Sequence, residues 1–167
     1  VTVMHVSRES YEKSVARATE HVRDPSAGLY GPGSMTWEIA RESVLFLGGG
    51  CAALLQLAHP FVAHAVDQHS ATRTDPLGRF QRTFQHVNAI LFGDLEMVLS
   101  ASRRVRHIHD HIQGPIREDV GAFHEGQTYE ANDAPSLLWV HTTLIYTAVQ
   151  VYELVVRPLT THEREQY

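Results

Sequence analysis

The residues able to do chemistry gather in two stretches. His59 to Thr83, HPFVAHAVDQHSATRTDPLGRFQRT, holds three histidines and three arginines between apolar segments, and Ser102 to Gly114, SRRVRHIHDHIQG, holds His107, His109 and His111. Imidazole both ligates metals and titrates near neutrality, while guanidinium holds anionic groups through a fixed fork of donors. An amphipathic stretch between the two clusters allows the second to fold back against the first. The pattern suggests a buried cofactor or metal.

Spacing divides the histidines. His107 and His111 lie four apart and share a helix face, whereas His109 points elsewhere, so the three do not serve one small site. Val98, Val105, Ile108 and Ile112 mark the apolar stripe, with His109 at its margin one turn after Val105. An imidazole facing an apolar pocket suits an axial haem ligand whose other ring nitrogen needs an acceptor. The competing reading, a hydrogen-bonded structural histidine, is the one that periodicity alone favours. The His107/His111 pair suits a divalent metal and would make the chain a non-haem metal hydrolase, but neither an HExxH motif nor a firmly spaced carboxylate accompanies it. In RFQRT, Arg79, Arg82 and Thr83 project from one helix face. They read either as solvated surface or as donors holding propionates or oxygen species beside a metal centre. His141, in LLWVHTTLIY, is a titratable group inside an apolar helix, which must find a partner or stay neutral. A satisfied core histidine is its default reading.

The elements that position these residues read as helices throughout, giving an all-α expectation without hairpin-like alternation. Ser7 to Val22 predicts a solvated amphipathic helix ending near Asp24-Pro25. Ser34 caps a helix from Met35, and Glu38 to Leu57 is interrupted at Gly48-Gly49-Gly50, as a helix break or a point of close backbone approach. Pro60 opens a helix to about His69, Thr74 or Asp75 caps one at Pro76, Asp94 caps one through His111, and Asn132 or Asp133 caps a long apolar one to about Val156. Ile116 to Ala131 reads as a polar loop.

Composition narrows the classes. With 167 residues and 43% hydrophobic content the chain buries one core. Its net charge of −5 without a basic block gives no footprint for nucleic acid or an anionic membrane. The single Cys51, in LFLGGGCAALLQLA, forms no internal disulfide and suits a reducing, cytoplasmic setting. The apolar run from Val44 to Ala58 falls short of the roughly 18 residues of a membrane span, and no signal-peptide h-region is present.

The segments GPGSMTW, LLQLAHP, His69-Ser70, DPLGRFQRT, Phe92-Gly93, VRHIHDHIQG, LLWVH and PLTTHEREQY, in this order and spacing, resemble the oxygenase family of the fungal MpaB enzymes and the bacterial rubber oxygenase (latex-clearing protein) catalytic domain. The resemblance divides the chain into an N-terminal helix and linker, 1–27, and a domain over 28–167, truncated at its C-terminus. It implies a single globin-like helical domain binding haem b (iron), and dioxygen-dependent cleavage of an apolar, isoprenoid-like alkene. By motif position, His109 is the iron ligand, Arg79, Arg82 and Thr83 are the distal catalytic group, and His59, His69 and His141 are cofactor-pocket positions. Arg82 stands where rubber oxygenases have lysine, and a guanidinium lacks the lone pair to approach iron. The helix expected to carry the family's catalytic glutamate offers only Asp67. That departure motivates the alternative of a haem-binding protein without oxygenase turnover. A purely structural helical domain is the plainest reading. Missing helices would leave apolar surface exposed and the fragment poorly soluble. Oligomeric state has no signature in the sequence.

Overall fold

A computed structural model describes residues 2–167. Its helices are α1 (Arg8–Thr19), α2 (Met35–Ala40), α3 (Gly49–Leu57), α4 (Pro60–His69), α5 (Pro76–Phe92), α6 (Leu95–His109), α7 (Ala134–Val155) and α8 (Thr161–Gln166). Local chemistry fixes most of their starts. Side-chain oxygens of Ser7, Ser34, Asp75, Asp94, Asp133 and Thr160 each accept a backbone N–H in the first turn, satisfying donors that a helix leaves orphaned. Proline occupies the first turn of α4, α5 and α7, where its missing N–H costs nothing. The all-α expectation holds.

The glycine triplet does not simply break a helix. Residues Ser43–Gly48 form a 3-10 turn between α2 and α3, and Gly49 and Gly50 continue as α3's first turn. Gly48 alone is demanded by packing, since a Cβ there would sit 2.9 Å from Val151 Cγ2 of α7. The buried face of α7 is correspondingly small up to Thr147, with Ser136, Thr143 and Thr147 all under 7% exposed, and only further on does it bury a large residue, Tyr152. Thr147 Oγ1 donates to the Thr143 carbonyl at 2.8 Å, so its hydroxyl is satisfied within its own helix. The large apolar residues of α3 and α7 face outward instead, Leu54 being 73% and Leu154 85% exposed. Among the described residues no single helix is long and apolar enough to cross a membrane.

The segment expected as a polar loop is more ordered than its composition suggests. β1 (Gln113–Pro115) pairs antiparallel with β2 (Thr128–Glu130), Gly114 lying opposite Tyr129. Ile116 and Tyr129 are buried with Phe61 of α4 in one core, and Ile39, Tyr152 and Leu159 form another. Short alternation over three residues is invisible to a periodicity search, so tertiary burial decided this segment.

One buried carboxyl group ties the N-terminal arm to this framework. Asp133 is 1% exposed. Its Oδ1 accepts from Met4 N at 2.7 Å, and its Oδ2 accepts from Ser136 N at 3.0 Å and Ser136 Oγ at 2.6 Å. An Asp133→Ala variant loses a cap contributing about 1 kcal/mol and strands buried donors at about 1–3 kcal/mol. Urea unfolding should therefore show a loss of about 2–4 kcal/mol, and a loss within ~0.5 kcal/mol would mean that the arm is not anchored there.

Candidate functional site

His109 ends α6 and is half-buried. Neither ring nitrogen has a hydrogen-bond partner among the described residues. Burial lowers its pKa first, the Arg106 charge lowers it further, and Asp110 partly offsets both. The result is a neutral imidazole with an uncommitted lone pair, the protonation state a metal ligand requires. His107 and His111 are exposed and lie edge to face with ring centroids 4.7 Å apart. His111 Nδ1–H donates to the His107 carbonyl at 2.8 Å. As the spacing implied, they form a pair apart from His109. Among the described residues no three His, Cys, Asp or Glu side chains converge to hold a metal ion.

α5 and α6 follow one another across Gly93-Asp94 and pack on each other. Among the described residues no hydrogen bond, ion pair or ring contact joins His109 to Arg79, Arg82 or Thr83, and Thr83 lies about one turn beyond Arg79. Arg79 is half-buried, and its guanidinium has no hydrogen bond or ion pair among the described residues. Thr83 Oγ1 donates to the Arg79 carbonyl at 3.0 Å. Arg82 is engaged by Asp75 Oδ2 at 3.2 Å, an exposed pair beside the cap of α5. Beside them Phe80 and Phe84 pack on Phe46, with centroids 6.0 and 4.8 Å from it, and Leu77 is 76% exposed. The first turns of α5 thus combine an unpaired guanidinium, a hydroxyl and exposed apolar side chains.

Two open depressions lie elsewhere. One of about 610 Å³ is bounded by Pro25, Leu95, Leu99 and Arg103, and one of about 340 Å³ by Trp37, Phe46, Asn88 and Phe92. The first lies along α6, with Glu96 and Ser100 also on its wall, and the second joins α2 to the C-terminal end of α5, with Arg41 and Ser43 also on its wall.

The remaining histidines differ in setting. His69 is exposed, and its Nε2–H donates to the Gln113 carbonyl at 3.0 Å, tying α4 to β1 four residues after His109. His59 heads α4 with Nδ1 buried and unpartnered, its ring lying 5.9 Å from Phe61, 5.5 Å from Phe123 and 6.2 Å from Trp139. His141 is exposed on the outward face of α7. No ring contact or hydrogen bond joins His59 or His141 to His109. Sequence reasoning treated Asn132 only as a candidate cap and did not single out Asp110. Their side chains meet beside His109, with Asn132 Nδ2 donating to Asp110 Oδ1 at 2.8 Å. The adjacency of Asp110 to His109 was the available signal.

Residues 36–167 match the family described as ER-bound oxygenase mpaB/B'/Rubber oxygenase, catalytic domain. No curated protein and no solved structure matches the chain.

His59 gives the protein a pH dependence of defined sign. Burial lowers its folded pKa below 6.5, with Asp133 acting weakly in the opposite direction. The unfolded chain therefore takes up this proton first as pH falls, and stability is lost as pH drops below the unfolded value towards the folded one. Urea midpoints should fall between about pH 7.5 and about pH 5.5, and a non-titrating His59→Gln variant should fall less. An unchanged slope in the variant would assign the effect to other histidines.

Proposed function

The chain belongs to the ER-bound oxygenase mpaB/B'/rubber oxygenase catalytic-domain family and is an oxidoreductase, and on that premise we propose that it is a haem b-dependent oxygenase acting with dioxygen on an apolar, isoprenoid-like alkene. The observation that carries the reading is the His109 imidazole, neutral by desolvation and unbonded at both nitrogens. A histidine satisfied as part of a core would have spent one nitrogen on a protein acceptor. This donor fits haem iron, and the exposed apolar side chains Leu77 and Phe80 of α5 suit a flat apolar macrocycle.

Bound haem would supply the dioxygen chemistry, leaving the protein to ligate, orient and exclude water. His109 would hold the iron. Arg79, with its guanidinium uncommitted, orients anionic groups beside the centre. Thr83 keeps acceptor lone pairs while its proton is spent on the Arg79 carbonyl, which fixes the direction of its own hydroxyl. Arg82, bound to Asp75 and without a lone pair to offer iron, braces the start of α5. Leu77 and Phe80 provide apolar contact for an alkene.

An absorption spectrum after haemin addition tests this directly. The parent should show a Soret band that shifts or disappears in His109→Ala, and a well-folded parent without a Soret band would overturn the reading. Arg79→Gln should retain haem and slow dioxygen consumption with an alkene by about 10- to 100-fold, the loss expected of one charge-assisted contact. Haem binding without any dioxygen consumption across candidate alkenes would leave only the haem-binding role.

A further inference from the structure

A ligand at the end of a helix has a positional problem, because the last turn lacks the following turn that would hold it. The chain just after His109 is gripped from outside its helix. Asp110, the C-cap of α6, receives Asn132 Nδ2 at 2.8 Å on Oδ1, the same oxygen that accepts from Arg106 Nε of its own helix at 3.0 Å. Two residues further on, Ala131 N donates to the Ile112 carbonyl at 2.9 Å, and Ile112 N donates back to the His109 carbonyl at 3.1 Å.

Asn132 has no other side-chain hydrogen-bond partner among the described residues. It is 3% exposed, yet α7 is capped by Asp133, so its side-chain amide turns away from its own helix towards α6. The position requires a short donor. Asp110 is an acceptor, so aspartate at 132 would set two carboxylates together, and an apolar residue would leave Asp110 to Arg106 alone. We propose that Asn132 is a positioning residue for His109: through Asp110 it locks the last turn of α6 so that the imidazole keeps a single orientation. The inference rests on His109 being the donor of the proposed site. Partners of this kind commonly change metal affinity by about 10- to 100-fold without touching the metal.

The test uses the whole chain, first without haem. In imidazole NMR at fixed pH, with the His109 resonance identified by His109→Gln, the parent should give one sharp His109 signal. Asn132→Ala and Asn132→Asp should broaden, split or shift it while leaving the His59 signal in place. The exchanged pair Asn132→Asp with Asp110→Asn restores a donor facing an acceptor and should restore the signal. Should Asn132→Asp fail to fold, Asn132→Ala carries the same comparison. With haemin, the single variants should bind about 10- to 100-fold more weakly and the exchanged pair should recover. An unmoved His109 signal in the single variants, or movement of the His109 and His59 signals together, would overturn the positioning role. A parent that gives the NMR result but no Soret band would remove the haem reading and leave the positioning role standing.

Discussion

Burying a carboxylate is costly unless hydrogen-bond donors surround it, and the fold is organised around meeting that condition at Asp133. Donors from Met4 and Ser136 converge on it. Recruiting Met4 brings in the N-terminal arm, whose Val6 N donates to the Asn132 carbonyl while the Met4 carbonyl accepts from Ala134 N, both at 2.9 Å. The start of α7 thereby becomes a junction where the arm, β2, α6 and α7 meet. Capping fixes where α7 begins, and the register of the neighbouring 131–132 segment follows from it.

The other end of α7 is held by surface charge. Arg157 donates to Glu38 at 3.0 Å and Glu163 at 2.8 Å, and the pairing with Arg157 and the capping bonds of Thr160 hold the Glu163 carboxyl well down, at about 2. These groups face water, so their net energy is small and their effect is to orient α8 and α2 on α7. Between the two anchors, threonine and serine on one face allow α3 to approach at Gly48, while leucines and Tyr146 face outward. An amphipathic helix with its bulky side outward has its apolar driving force unused by the described chain.

Much of this was legible in sequence because the signals are local. Asp75-Pro76, Asp94 and Asp133 announce helix starts by chemistry acting within one turn: Asp94 caps as expected, and of the pairs Thr74/Asp75 and Asn132/Asp133 that the sequence leaves open, the aspartate caps in each. Separation of His109 from the His107/His111 pair followed from helical spacing alone. His141 was not legible, because an apolar window implies burial only when something covers it, and here the helix face it occupies is open. The β1–β2 ribbon was missed because its pairing partner lies across a loop, and a three-residue strand has no period to detect. The last helix, α8, carries a full capping box at Thr160 and Glu163 in TTHE, a local signal of the same kind. Asn132 was read as a possible cap because residue type reports a capacity to hydrogen-bond, not the direction in which the side chain turns.

The electrostatics around His109 explain why Arg106 and Asp110 belong together. Arg106 has a side chain only 10% exposed, so it needs a counter-charge, which Asp110 supplies one turn later. Arg106 alone would push the neighbouring imidazole towards neutrality but would leave its own buried charge uncompensated. Asp110 alone would favour imidazolium, a cation with no lone pair to give a metal. Paired, the two charges act on His109 in opposite directions, and desolvation, the largest influence, decides its state. The imidazole is thus kept neutral by burial, while the charges that could reverse this are bound to each other and to Asn132. Burial thus holds the imidazole in its deprotonated form while Arg106 keeps a compensating carboxylate beside it.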